Sequence, residues 1–103
     1  MINQPFGGSI VLIGDWAVAR PYTNFAAYFV GKGPIETMTK SLAVELATRN
    51  PKVRVNAVLP GPVMLDHSIG NEQAQKIAKD CLLKRLGTPE DVAEAVFFLS
   101  QQS

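Results

Sequence analysis

Tyr28 and Lys32 stand four positions apart, so on a helical turn their side chains share one face, with roughly 5–6 Å between Cβ atoms. A phenol is a weak acid with a reference pKa of about 10, and a neighbouring ammonium lowers that value by favouring the phenolate. The pair therefore reads as a general acid, Tyr28, tuned by Lys32. Asp15 lies thirteen residues before Tyr28, directly after an apolar run. Ligands of open α/β sheets gather at strand C-terminal ends, which places Asp15 and Tyr28 at one pocket. Each residue also has a plainer reading: Tyr28 as a surface anchor, Lys32 as a solvated charge, and Asp15 as the cap of the turn that follows it.

These side chains need elements to hold them. Ser9 to Ile13 is an unbroken apolar run ended by Gly14-Asp15, and Val53 to Leu59 is a β-branched run ended by Pro60-Gly61-Pro62; both read as buried strands. Between them, from about Phe25 to Thr48, apolar residues Ile35, Met38, Leu42 and Leu46 recur at three- and four-residue steps, which predicts a helix. Gly33-Pro34 predicts a kink or a fresh start inside it, because an interior proline removes a backbone donor. Asn50-Pro51 predicts its end, with Asn50 in a left-handed cap. Strand, helix, strand in this order is a βαβ crossover with parallel strands, both ending on one edge. A short helix is predicted from Asn71 to about Lys79, and a last one from Thr88-Pro89, with Thr88 as cap and proline in the first turn.

The 103 residues, 47% hydrophobic and 18% charged, allow at most one small folded domain and argue against disorder. A net charge of +1 with dispersed basic residues gives no footprint for nucleic acid. Cys81 and His67 are the only residues of their types, so neither a disulfide nor a thiolate zinc site is expected, and a cytoplasmic setting fits. Both are read as structural or pocket-lining, and Asn56 as a structural strand residue. The run Ile10 to Ile13 is too short to span a bilayer, and no membrane attachment is expected. Two parallel strands do not make a sheet covered on both faces, and no glycine-rich dinucleotide turn occurs in the chain. The sequence accordingly reads as a fragment, or as half of a split or truncated gene product.

Four segments, GGSIVLIGD, AAYFVGKGPIETMTKSLAVELA, VRVNAVLPGPV and RLGTPEDVAEAVFFL, together resemble the short-chain dehydrogenase/reductase family in order and spacing. The resemblance implies an α/β, Rossmann-type doubly wound parallel sheet of which only the C-terminal part is present, lacking the nucleotide-binding half and the final strand. It implies an oxidoreductase using NADP, or NAD, with no metal. Asp15, Tyr28 and Lys32 would be catalytic, and Tyr28, Lys32, Pro60, Gly61 and Val63 would touch the cofactor, Gly61 by letting its backbone come close. Leu65 stands where the family usually has threonine, leaving that loop only a backbone role. The segment from Met64 to Arg85 would cover a small-molecule substrate. The long and last helices would pair subunits into a homodimer or homotetramer.

Asp15 stands where the family usually has serine, a hydrogen-bond donor. A carboxylate accepts instead, which suits the ring N–H and amino groups of a pterin, and the Asp, Tyr, Lys set resembles the family's pteridine reductase branch. Two alternatives stay open. One is a carbonyl reductase resembling 3-oxoacyl-carrier-protein reductase, in which Asp15 keeps a proton in order to donate. The other is a truncated, non-catalytic piece acting through subunit pairing, with Asp15 marking lost activity.

Overall fold

The computed structural model describes residues 1–63 and 69–101. Strand β1 (Gly8–Ile13) leads through a single turn of 3-10 helix (Trp16–Ala19) to helices α1 (Ala26–Lys32) and α2 (Pro34–Arg49), then strand β2 (Val53–Val58), α3 (Asn71–Asp80) and α4 (Pro89–Ser100). The two strands pair in parallel, from Gly8 opposite Val53 to Ile13 opposite Val58. This is the expected βαβ unit, and it puts Gly14-Asp15 and Leu59-Pro60 side by side.

The long predicted helix is two helices. Gly33 keeps helical angles and its N–H reaches the Phe29 carbonyl at 2.7 Å, but Pro34 has no N–H to continue the ladder, so α2 starts there. Tyr28 and Lys32 thus sit on a separate short helix. The predicted left-handed cap at Asn50 is corrected: Asn50 is extended, with φ −152°. Its side chain explains why. The amide donates to the Ile2 and Gln4 carbonyls at 2.9 and 3.0 Å, and its oxygen accepts from the Lys52 N–H at 3.0 Å. Asn50 is spent on tying down the N-terminal segment, and the chain passes extended into β2. Beside it, Gly7 takes φ +73°, and a Cβ there would lie 2.2 Å from the Lys52 carbonyl oxygen, so only glycine fits.

Alternation along the strands assigns the two faces. Ile10 and Val53 meet Leu46 and Arg49 of α2 around one small cavity. On the other face, Ser9 donates to the Leu99 carbonyl at 3.0 Å and Arg54 to the Gln101 carbonyl, which fastens α4. Ile35, Leu42 and Leu46 are half-buried as the periodicity predicts, whereas Met38 is exposed. Among the described residues only Ala17, Val53 and Val55 are buried hydrophobics. The radius of gyration is 16.5 Å, against about 13 Å for a compact domain of ~100 residues. No described helix is long and apolar enough to cross a membrane.

Helix α4 starts as predicted and adds a reciprocal cap: Thr88 Oγ1 accepts from the Asp91 N–H at 3.1 Å while the Asp91 carboxylate accepts from the Thr88 N–H at 2.9 Å. The Thr88 N–H, and after it Arg85, hold the Asp91 carboxyl below its usual range. The stability this lends is present above the unfolded-state pKa and fades as pH falls through the lower folded value. Thr88→Ala removes one half of the cap and is expected to lower unfolding free energy by about 1 kcal/mol. A denaturant midpoint equal to that of the parent chain would show that the cap contributes nothing.

Candidate active site at the strand ends

Parallel register continues past the strands. The Gly14 N–H donates to the Val58 carbonyl at 2.8 Å and the Trp16 N–H to the Pro60 carbonyl at 3.2 Å, so the loop after β1 is clasped to the loop after β2. Asp15 sits between these two bonds in extended conformation, and its Oδ1 accepts from the Ala17 N–H at 2.8 Å. It does cap the turn that follows, as its plainer reading expects. Its second oxygen, Oδ2, accepts a short hydrogen bond from the Tyr28 hydroxyl.

Tyr28 is aimed by its neighbours. Tyr22 packs edge-on against Phe25 and Phe29 with ring centroids 5.2 Å away in both cases, and Tyr28 packs edge-on against Phe29 at 5.5 Å. These aromatic contacts hold the 21–25 segment against α1, with Asn24 turning the chain at φ 72°. Tyr28 as a whole residue remains 40% exposed.

The tuning expected from Lys32 is corrected. The Tyr28 phenol is pushed up to about 12, chiefly because its proton is shared with the Asp15 carboxylate, then by partial burial and by the negative charge of Asp15. Losing that proton would leave two anions in contact. The Lys32 ammonium lies elsewhere: it donates to the Ile13 carbonyl at 3.0 Å, pinning α1 to the last residue of β1. Four-residue spacing placed Tyr28 and Lys32 on one face, but the strand-end carbonyl competes for the ammonium.

Pro60 and Pro62 have no N–H, and their carbonyls accept from Trp16 at 3.2 Å and Gly87 at 2.9 Å. Gly61 and Val63 are therefore the residues of this loop with N–H groups to offer a ligand. The close approach that Gly61 permits is made first by protein: a Cβ there would lie 3.0 Å from Trp16 Nε1 and 3.1 Å from its Cδ1. Asp15, Trp16, Tyr28, Lys32, Gly61 and Val63 all line one open cleft of about 840 Å³, together with Ile77 of α3 and Val92 of α4. The structure thus brings together every site residue read from the sequence, Pro60 included.

Trp16 and Tyr22 were not singled out by sequence reasoning. The signals were there: an aromatic directly after the acidic strand-end residue, and aromatics at 22, 25 and 29 with helical spacing. Asn56 lies mid-strand opposite Val11, and among the described residues its side chain has no hydrogen bond. The Cys81 thiol donates to the Ile77 carbonyl at 3.4 Å at the end of α3, a structural placement. Leu65 and His67 lie outside the described residues. Among the described residues no group of three or more metal-ligating side chains occurs.

A family model described as enoyl-(acyl carrier protein) reductase matches residues 1–103. The chain is 36% identical over 100 residues to human "Dehydrogenase/reductase SDR family member 4", covering 93% of this chain and 35% of that protein. It is 35% identical over 100 residues to "NADPH-dependent aldehyde reductase 2, chloroplastic" of Arabidopsis thaliana, covering 94% of this chain and 36% of that protein. A solved short-chain dehydrogenase family protein from Francisella tularensis superposes with a TM-score of 0.80 at 35% identity, covering 93% of this chain and 44% of that one. The chain belongs to the short-chain dehydrogenase/reductase family, and its fold is a Rossmann-type part of that family's sheet. It spans less than half the length of these relatives.

The chain has one tryptophan, so the contact between the two loops can be read directly. Gly61→Ala is expected to displace the Trp16 indole by a few tenths of an ångström and shift its single indole N–H resonance, while the β2 amides stay in place. An unmoved indole signal would contradict the packing of Trp16 on Gly61.

Proposed function

We propose that this chain is the C-terminal catalytic part of an NADPH-dependent reductase that delivers a proton from Tyr28 to a substrate held against Asp15. The observation that carries the reading is the Tyr28 hydroxyl donating to Asp15 Oδ2 inside a cleft that also holds Lys32, Gly61 and Val63. The residues lining the cleft fit the nicotinamide end of a dinucleotide: the Lys32 ammonium and Tyr28 phenol from α1, and Gly61 and Val63, which keep backbone N–H groups, from the loop after β2. When bound, the reduced nicotinamide supplies a hydride. Tyr28 would then supply the proton, Lys32, with N–H bonds beyond the one to the Ile13 carbonyl, would hold the ribose hydroxyls, and Trp16, Ile77 and Val92 would exclude water. The Arabidopsis relative, named as NADPH-dependent, supports that coenzyme.

Asp15 sets the substrate. In this geometry both of its oxygens accept hydrogen bonds, so a substrate that meets it brings a donor, as the ring N–H and amino groups of a pterin do. A second reading, reduction of an aldehyde or ketone, is favoured by the same relative's being named an aldehyde reductase; there Asp15 would orient Tyr28 and leave the carbonyl to the phenol alone. The sparse core, together with exposed Val44 on α2 and Phe97 and Phe98 on α4, supports a partner half and a second subunit covering these faces.

Substitution at Asp15 separates the substrate readings in the full-length protein. Asp15→Ser is expected to lower kcat/KM for a dihydropterin by roughly 10- to 100-fold, the loss of one charged hydrogen bond of about 1.5–3 kcal/mol, and to leave a β-ketoester unharmed or faster. Equal pterin turnover in the variant and the parent would remove the pterin reading. Tyr28→Phe is expected to cost roughly 10²- to 10⁴-fold with either substrate.

A further inference from the structure

We propose that Trp16 is a specificity-determining residue: its indole is a fixed flat wall of the cleft, and it selects substrates that carry a planar aromatic or heteroaromatic ring beside the atom that is reduced. The inference rests on the reading of the cleft as the substrate site of a reductase and deepens it, because it assigns the shape a substrate must have whether the reduced bond is C=N or C=O.

Backbone contacts fix where the indole starts. The Trp16 N–H donates to the Pro60 carbonyl at 3.2 Å, the turn that Trp16 begins is capped by Asp15 Oδ1 on the Ala17 N–H at 2.8 Å, and Ala17 itself is buried. The side chain then rests its pyrrole edge on Gly61, where a Cβ would lie 3.0 Å from Nε1 and 3.1 Å from Cδ1 but 3.9 Å from Cε2. Seated in this way, the indole has no room to retreat toward the loop after β2. Trp16 is nevertheless 41% exposed and lines the cleft.

The other aromatic rings that line the cleft are already engaged. Tyr22 packs edge-on with Phe25 and Phe29, and so does Tyr28, whose hydroxyl is also bonded to Asp15. Among the described residues Trp16 enters no aromatic pair. It is an anchored indole whose π-surface is left for a ligand. A flat ring laid against an indole makes close contact along its whole face, whereas a puckered ring is held off by its axial hydrogens. Trp16 follows Asp15 directly in the chain, so one ligand can offer a polar edge to Asp15 and Tyr28 and its flat face to the indole. The walls from α3 and α4, Ile77, Val92 and Ala93, are aliphatic and make no such distinction between flat and puckered rings.

The experiment compares two aldehydes as substrates of the full-length protein with NADPH: benzaldehyde and cyclohexanecarbaldehyde, which put a flat and a puckered ring of equal carbon count on the same reacting group. Trp16→Leu is expected to lower the ratio of kcat/KM for the flat ring over the puckered one by roughly 10-fold relative to the parent, through KM and not kcat. Trp16→Phe keeps a ring and is expected to retain most of the parent's ratio. An unchanged ratio in Trp16→Leu overturns the inference. So does an equal loss with both aldehydes, which a merely structural indole would give, or a change confined to the KM for NADPH, which an indole stacked on the nicotinamide would give. For a protein that reduces a dihydropterin and neither aldehyde, the same factor is expected in the dihydropterin KM of Trp16→Leu, with Trp16→Phe restoring it, and an unchanged KM overturns the inference. Tyr28→Phe decides the proposed function separately, because it lowers turnover of both aldehydes and leaves their ratio in place. A protein that reduces none of these compounds removes that function and the inference with it.

Discussion

Everything at the site depends on the parallel register of two short strands. Ile13 opposite Val58 makes both strands stop at the same level, and the ladder then runs two bonds further through Gly14 and Trp16. An antiparallel pair would have put Asp15 and Gly61 at opposite ends of the sheet. With this register they line one cleft, and the crossover helices return the chain so that α1 lies across the strand ends. Tyr28 and Lys32 each contact the end of β1, one through the Asp15 side chain and the other through the Ile13 carbonyl.

Asp15 joins three levels of the structure. Through Oδ1 it caps the short turn that carries Trp16, and through Oδ2 it holds the phenol; its backbone stands between the two hydrogen bonds that clasp the loops. A serine at this position would have one oxygen to serve both contacts, whereas the carboxylate gives each contact an oxygen of its own. The same feature raises Tyr28's affinity for its proton. Structural and chemical roles therefore share one side chain, which is why the plainer reading of Asp15 as a cap and the catalytic reading do not exclude each other.

The strands, the break at Pro34 and the cap at Thr88 were legible because each rests on local chemistry: β-branched runs, a missing N–H, and a hydroxyl placed to accept. The membership of Asp15, Tyr28, Lys32, Gly61 and Val63 in one cleft was legible from strand-end logic and family resemblance. What was not legible were choices among partners. Lys32 prefers a strand-end carbonyl nineteen residues away to its helical neighbour, Asn50 prefers two N-terminal carbonyls to a left-handed cap, and Gly61 is approached by Trp16. Spacing along a chain limits which groups can meet, but competition among several reachable acceptors is settled only in three dimensions.

The strands form only part of a sheet, and the chain spans only part of its relatives' length, so local contacts at the cleft are what define its geometry within these residues. The most direct test of that claim is a double-mutant cycle on unfolding free energy with Tyr28→Phe and Asp15→Asn. If the phenol and the carboxylate are bonded across the strand end, the two changes are expected to couple, the double variant losing less than the sum of the singles by more than the ~0.5 kcal/mol scatter of independent sites. Strict additivity would mean that Asp15 and Tyr28 do not touch, and the site as described would not exist.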